Sequence, residues 1–296
     1  MVQSCGRLIM ILSTERSGST LLAAILGGNK RVVAPPEMHV LRYADFSAWR
    51  QAKPEAVSSL SWVMNVLGEP SSPQELDNRF GGLTTEDVYR ELLKLCGSDQ
   101  LLVDKTPAYA RKDDVLERIE KLEPFYIWLV RHPLAVLASS QDRRIQRYTE
   151  ERNNTTNLAL KVKLDLRRAL DRVWRFRYGH YRREKLRYWC DINVRIDAFL
   201  TALSEERFIR IHYEKLVRAP EEQLDRLCAA LGLDLEPSML NPGSNVPEPL
   251  AWGLGSEKVR AHSSINPQIA DRWKNRFDES LLDKQTLKIM ERLGVE

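Results

Sequence analysis

Near the N-terminus, Ser13-Thr14-Glu15-Arg16-Ser17-Gly18-Ser19-Thr20 gathers hydroxyls, a guanidinium and one glycine between an apolar run and a helical pattern. Such a segment is built to bind anions. The first N–H groups of a helix lack intrahelical acceptors, and the aligned peptide dipoles place partial positive charge there. Gly18 lets the main chain come close, and Arg16 adds a planar fork of donors. The G-x-x-x-x-G-K-S/T pattern of ATP-binding loops is absent, because the spacing is shorter and no lysine follows a glycine. Standing alone, a loop of this kind can equally be a Ser/Thr-rich helix cap. A second cation at a strand end decides between the two: Arg131 closes the run FYIWLV, and Ser139 follows eight residues on, in the second turn of the next helical pattern. Open α/β sheets bind ligands beyond the carboxyl ends of their strands, so two anion sites there point to a bis-phosphorylated ligand.

Two more groups stand where they can act on that ligand. Lys105 directly follows the run QLLV, in VDKTP; a lysine there is either a solvated charge or a cation facing the ligand. Glu37 and His39 follow Pro35-Pro36. The prolines impose an extended approach, and on an extended chain residues two apart point to the same side. A carboxylate and an imidazole placed together can accept a proton, one orienting or tuning the other.

These groups need a frame, and the pattern provides one. Arg7–Leu12, Gln100–Val103, Phe125–Val130 and Phe208–His212 read as strands that are apolar on both faces and separated by long helical stretches. The fold class is therefore α/β, a parallel central sheet flanked by helices. Helices are expected at Thr85–Cys96, Lys112–Lys121, Leu134–Gln146, Leu158–Trp174, Tyr188–Leu203, Pro220–Leu231 and Asn266–Trp273. Pro220 suits a first helical position and Gly232 the C-terminal cap of the same helix. The stretch 237–255, with four prolines, reads as loop.

With 296 residues, 43% of them hydrophobic and 29% charged, the chain is long enough for a sizeable core, and disorder and collagen are excluded. No linker separates two self-sufficient patterns, so one domain spanning 1–296 is expected. No apolar run approaches the roughly 18 residues of a spanning helix, and the mean hydropathy of −0.40 agrees. The apolar run Leu8–Leu12 is too short for a secretory leader, which implies a cytoplasmic protein. Cys5, Cys96, Cys190 and Cys228 are widely spaced, as reduced, buried thiols are. The net charge of +4 conceals an asymmetry: residues 143–187 hold fifteen Lys/Arg against five Asp/Glu, so the remainder is mildly acidic. That segment is either a solvated helix face or a docking surface for something acidic. No helix-turn-helix, zinc-finger or RNP pattern accompanies it, which disfavours nucleic acid.

Three segments carry a family likeness. TERSGSTLL after the first strand, LVRHPLAVLASS at the third and IHYEKLVRAPEEQLDRLCAALGL near the C-terminus together resemble the sulfotransferases that use 3′-phosphoadenosine 5′-phosphosulfate (PAPS) and release 3′-phosphoadenosine 5′-phosphate (PAP). Weaker likeness runs from about Gly6 to Lys274. The resemblance implies that Arg16 and the backbone of Ser17, Gly18, Ser19, Thr20 and Leu21 hold the 5′-phosphosulfate. It implies that Arg131 and Ser139 hold the 3′-phosphate, that Tyr213 lies near the adenine, and that Lys105 lies near the transferred group with no metal required. The PPE-x-H pattern is similar to that of sulfotransferases built into polyketide assembly lines, which sulfate a β-hydroxyl on a carrier-bound acyl chain. It makes Glu37 the expected base, with His39 beside it. Cytosolic relatives instead use a His in a KTH motif, where this chain reads Lys105-Thr106-Pro107, a departure that argues against a simple phenol as acceptor. AHSSINPQIADRWKN resembles the end of the bacterial branch and implies that His262 lines the site, with Lys258 or Arg260 standing in for a missing 3′-phosphate element. The basic region 142–188 corresponds to the family's variable acceptor region, where an acidic carrier protein, an anionic glycan or a small metabolite would bind. Two rival readings remain: a nucleotide phosphotransferase, against which the missing ATP-loop lysine counts, and a non-catalytic nucleotide-binding module, which would need neither Lys105 nor the Glu37/His39 pair.

Overall fold

The computed structural model describes residues 6–171, 173, 179–247 and 264–296. Five parallel strands, β1 (Arg7–Ser13), β2 (Val32–Val33), β3 (Leu101–Asp104), β4 (Phe125–Val130) and β5 (Phe208–His212), form one sheet in the order β2-β3-β1-β4-β5. The fold is a single α/β domain. The expected strands are all present, within one residue at each end. β2 is only two residues long, too short to show a period in sequence.

Continuous apolar runs are needed because both faces of the sheet are covered. Along β1, Leu8, Met10 and Leu12 feed one core while Ile9 and Ile11 feed the other. The second core is closed by α1 (Ser19–Leu26), α10 (Tyr213–Arg218) and α11 (Pro220–Leu231). The first is larger. It takes α2 (Phe46–Ala52), α3 (Val57–Val66), α4 (Pro73–Phe80), α5 (Thr85–Cys96), α6 (Asp113–Glu120), the start of α7 (Pro133–Asn154), α9 (His180–Thr201) and α12 (Lys284–Leu293). The remaining helix, α8 (Leu158–Leu170), contributes only Leu164 to the interior.

α5 and α11 have the expected bounds, and Gly232, the expected cap, closes α11 in the left-handed region at φ 69°. Several helices depart from expectation. α7 runs eight residues past Gln146 and α9 starts eight residues before Tyr188. α8 is described only to Leu170, since Trp174 lies outside the described residues. In place of a helix over Asn266–Trp273, the chain makes a 3-10 turn at Pro267–Ile269 followed by further turns. Short 3-10 turns also interrupt the expected loop, at Pro237–Leu240 and Pro242–Asn245. Cys96, Cys190 and Cys228 are buried and unbridged, and burial pushes the Cys96 and Cys228 thiols up to about 11. Among the described residues no helix is long and apolar enough to cross a membrane.

Candidate active site

Every strand ends at a residue with chemical potential. β1 leads to Arg16, β2 to Glu37 and His39, β3 to Lys105, β4 to Arg131, and β5 to Tyr213. Parallel pairing puts all five carboxyl ends on one edge of the sheet, and a cavity of about 700 Å³ opens there. Its wall includes Arg16, residues 18–21, Glu37, His39, Arg131, Ser139 and Tyr213. Lys105 and Ser17 stand behind that wall, both buried.

The loop after β1 is shaped around one close approach. Gly18 has φ 95°, and a Cβ there would lie 2.3 Å from the Tyr213 ring, so both backbone and space demand glycine. Arg16 is itself left-handed at φ 69°. The Ser17 hydroxyl is turned inward onto Thr14 Oγ1 at 2.6 Å, leaving its side chain unavailable to the cavity. α1 begins at Ser19 with no side-chain cap, so the N–H groups of its first turn keep their donor capacity.

Sequence separates Arg16 from the Arg131/Ser139 pair, whereas the structure joins them. Arg16 Nε donates to Ser139 Oγ at 3.2 Å, and Arg131 Nη1 donates to the Arg16 carbonyl at 3.0 Å. Arg131 also lies over the Tyr213 ring, 4.1 Å from its centroid, and its buried Nε has no partner among the described residues. Burial, and then the nearby Arg143 and Arg131, push the Arg16 guanidinium down. An arginine stays charged across the physiological range, so this crowding of guanidinium groups favours the binding of an anion between them.

At the other side of the cavity the cluster is tighter. Lys105, 2% exposed, donates from Nζ to Glu37 Oε1 at 2.8 Å. The other carboxylate oxygen of Glu37 lies 3.3 Å from His39 Nε2. Burial works to raise the Glu37 pKa, but the Lys105 charge and the His39 contact outweigh it and take the carboxyl down to about 2. Glu37 and His39 do meet, by a different route from the extended one. His39 is left-handed at φ 57°, at the start of a 3-10 turn over Val40–Arg42, and its Nδ1 is buried without a partner among the described residues.

A buried carboxylate holds this arrangement from behind. Asp104, the last residue of β3, accepts hydrogen bonds from Tyr89, from Tyr109 at 2.7 Å and from Thr106 at 3.1 Å. Thr106 Oγ1 in turn accepts from the His39 N–H at 3.4 Å, and Tyr109 Oη from the Leu41 N–H at 3.4 Å. Asp104 therefore fixes both the strand end that carries Lys105 and the turn that carries His39. In Asp104→Asn, an amide NH₂ replaces the oxygen that accepts either from Thr106 or from Tyr89 and Tyr109 together, and the expected cost is about 2–3 kcal/mol of stability. Thermal unfolding measures it; an unchanged Tm would remove Asp104 from the support of the site.

The statistical description of the sulfotransferase family matches residues 9–237. The chain belongs to that family. A sulfotransferase domain from the curacin biosynthetic pathway superposes with a TM-score of 0.78 at 29% identity, covering 98% of each chain. A sulfotransferase domain from the Synechococcus PCC 7002 olefin synthase superposes at 0.74 with 25% identity, covering 99% of this chain and 96% of that one. The nodulation protein NoeE of Sinorhizobium fredii (strain NBRC 101917 / NGR234) is 25% identical over 227 residues, 76% of this chain. This chain spans 49% of NoeE's length. The chain thus forms a domain of the sulfotransferase type, with a P-loop-like sheet.

Other residues of this sulfotransferase reach the cavity or support its wall, among them Trp273 of the C-terminal segment AHSSINPQIADRWKN. Arg276 arrives from the C-terminal turns and bonds Asp142 at 2.6 Å and Gln141 at 2.7 Å on α7. Trp273 stacks on His132 with centroids 4.1 Å apart. Burial, with Lys274 and Arg131 adding to it, pushes His132 down to about 4, so it is a neutral support for that ring. Arg111 pairs with Glu15 across the cavity mouth. Asp104 was legible only as the residue before Lys105. His262, Lys258 and Arg260 lie outside the described residues.

Proposed function

We propose that this sulfotransferase moves a sulfuryl group from PAPS to the β-hydroxyl of an acyl chain borne on a carrier protein. The observation that carries the reading is the cavity's two-ended chemistry, with guanidinium groups and an unpartnered buried Arg131 Nε at one end and the Lys105–Glu37–His39 cluster at the other. The donor fits the first end. Arg16 and the α1 N–H groups suit a 5′-phosphosulfate, Arg131 and Ser139 a 3′-phosphate, and Tyr213 an adenine. PAPS supplies an activated sulfuryl group on a good leaving phosphate, so the protein's task is positioning and charge stabilisation. Cationic side chains serve this without a metal.

At the second end, Lys105 is the cation for the transferring group and Glu37 the base for the acceptor hydroxyl. Lys105 holds Glu37 ionised in the free enzyme. Once Lys105 turns towards the negative charge of the donor, burial, the largest single influence on Glu37, loses its main opponent and raises the carboxylate's proton affinity. His39 orients the carboxylate through Nε2. The acceptor class is supported by the PPE-x-H sequence and by the kinship to sulfotransferase domains named for a biosynthetic pathway and an olefin synthase. No observation favours ATP as donor, the loop lysine being absent.

Calorimetry against PAP tests the donor, with ATP plus Mg²⁺ and adenosine 5′-phosphate as controls. Binding is expected to require the 3′-phosphate, and Arg131→Ala to weaken it by about 1.5–3 kcal/mol, roughly 10- to 150-fold. Equal affinity for PAP and adenosine 5′-phosphate would overturn the donor assignment. Unchanged PAP affinity in Arg131→Ala would remove Arg131 from it.

A further inference from the structure

One helix departs from the rule that large apolar side chains are scattered singly over a surface. Of nine exposed large hydrophobic residues among those described, six belong to α8 and its extension: Leu158, Leu160, Val162, Leu166, Leu170 and Val173. Leu158 is 75% exposed, Val162 61% and Leu166 59%. At 3.6 residues per turn, Leu158, Ala159, Val162, Leu166, Ala169, Leu170 and Val173 fall within an arc of about 120° that holds no polar side chain. The opposite face is spoken for. Leu164 packs inward there and Asp171 binds Arg144 and Tyr148, and at one edge of the arc Asp165 pairs with Arg152, so α8 is tied along α7.

One rim of the arc is cationic: Lys163 and Arg167 border it there, while at the other edge Asp165 stands nearest, with Lys161 beyond it, and no carboxylate pairs Lys161, Lys163 or Arg167 among the described residues. Two copies of this face would bring like charges together, which disfavours self-association through it. An acidic partner with an apolar contact surface satisfies both features. The position of the helix selects among such partners. The Asp171 end of α8 is anchored at Arg144, next to Arg143 in the cavity wall, and from there the stripe runs outward for about 20 Å.

We infer that the exposed face of α8 docks the acidic carrier protein itself, its apolar stripe receiving a helix of the carrier while Lys161, Lys163 and Arg167 meet the carrier's carboxylates. The inference rests on the reading of the acceptor as carrier-borne. A macromolecule seated along α8 stands beside the cavity mouth, so a flexible thioester arm can deliver its hydroxyl to Glu37 without the macromolecule entering the site.

The test compares one β-hydroxyacyl chain on two supports, an acidic bacterial acyl carrier protein and free pantetheine. The wild-type enzyme is expected to show at least a tenfold higher kcat/KM for the carrier-borne chain. Val162→Asp with Leu166→Asp, and separately Lys163→Glu with Arg167→Glu, are expected to abolish that advantage while leaving the pantetheine substrate unchanged. The advantage of the wild type should also shrink as salt is raised. These positions are exposed, and the unchanged pantetheine rate reports that the variants are folded. Variants that retain the carrier advantage would overturn the docking face and leave the acceptor reading standing. A wild-type enzyme that binds PAP tightly but sulfates neither substrate would overturn the acceptor reading and the docking face with it. A wild-type dimer in sedimentation that the Asp variants split would assign the stripe to a second copy of the chain instead.

Discussion

Glu37→Gln is expected to lower turnover about 10²- to 10⁴-fold, the range that a positioned general base contributes, while the affinity for PAP stays near the wild-type value. Gln preserves the volume and can still meet Lys105 at one atom and His39 at the other, the two contacts that Glu37 divides between its oxygens. It cannot accept a proton. The anion-binding end is untouched, since Arg16, Ser139, Arg131 and Tyr213 bind one another and not Glu37. Single-turnover rates with saturating donor, beside calorimetry with PAP, separate the two effects. His39→Ala is the informative companion. If Glu37→Gln keeps its turnover and His39→Ala loses it, the imidazole is the base and Glu37 only steers it, an arrangement the 3.3 Å Glu37–His39 contact also permits.

The fold was open to sequence reading wherever burial on both faces forces an unbroken apolar run. β4 is apolar at all six positions and has the bounds that FYIWLV predicts. α2, α3 and α4 were missed for the converse reason: residues 46–80 mix short helices with prolines and exposed polar turns, and their order comes from packing on the sheet. A local signal existed there, the capping box of Ser72 with Glu75 ahead of α4. Arg16, Lys105 and Arg131 were legible because each follows a strand and parallel strands converge on one edge, whereas Glu37 and His39, behind the two-residue β2, were legible only from Pro35-Pro36. The connections within the site were not legible. Ser139 is bonded to Arg16 across 123 positions of sequence, and His39 meets Glu37 through a left-handed turn that no alternation pattern encodes. Asp104 stayed hidden because a buried carboxylate announces itself only through its partners, Tyr89 and Tyr109, which converge on it from a helix and a turn.

Lys105→Met should lower turnover about 10²- to 10³-fold, as loss of one cation at developing charge does, and it should invert the pH dependence of stability near the site. In the wild type the Glu37 carboxyl sits at about 2 against an ordinary 4.5. A depressed carboxyl stabilises the fold above its unfolded pKa and loses that contribution as pH falls through the folded one, so the wild-type contribution is complete above pH 4.5 and fades towards pH 2. Lys105 is the leading influence lowering Glu37, and burial opposes it. Without the lysine, burial is opposed mainly by the His39 contact, the Glu37 pKa rises, and the buried carboxylate has lost its lysine partner at neutral pH. Breaking one side of a buried pair costs about 3–5 kcal/mol. The variant is therefore expected to lose most stability at pH 7 and to recover part of it as pH falls and Glu37 takes up a proton, a direction opposite to that of the wild type. Unfolding midpoints between pH 4 and 8 decide the matter. A Lys105→Met variant whose stability tracks the wild type across that range would mean that Glu37 is not held by Lys105, and the transfer of Lys105 from base to donor would lose its physical basis.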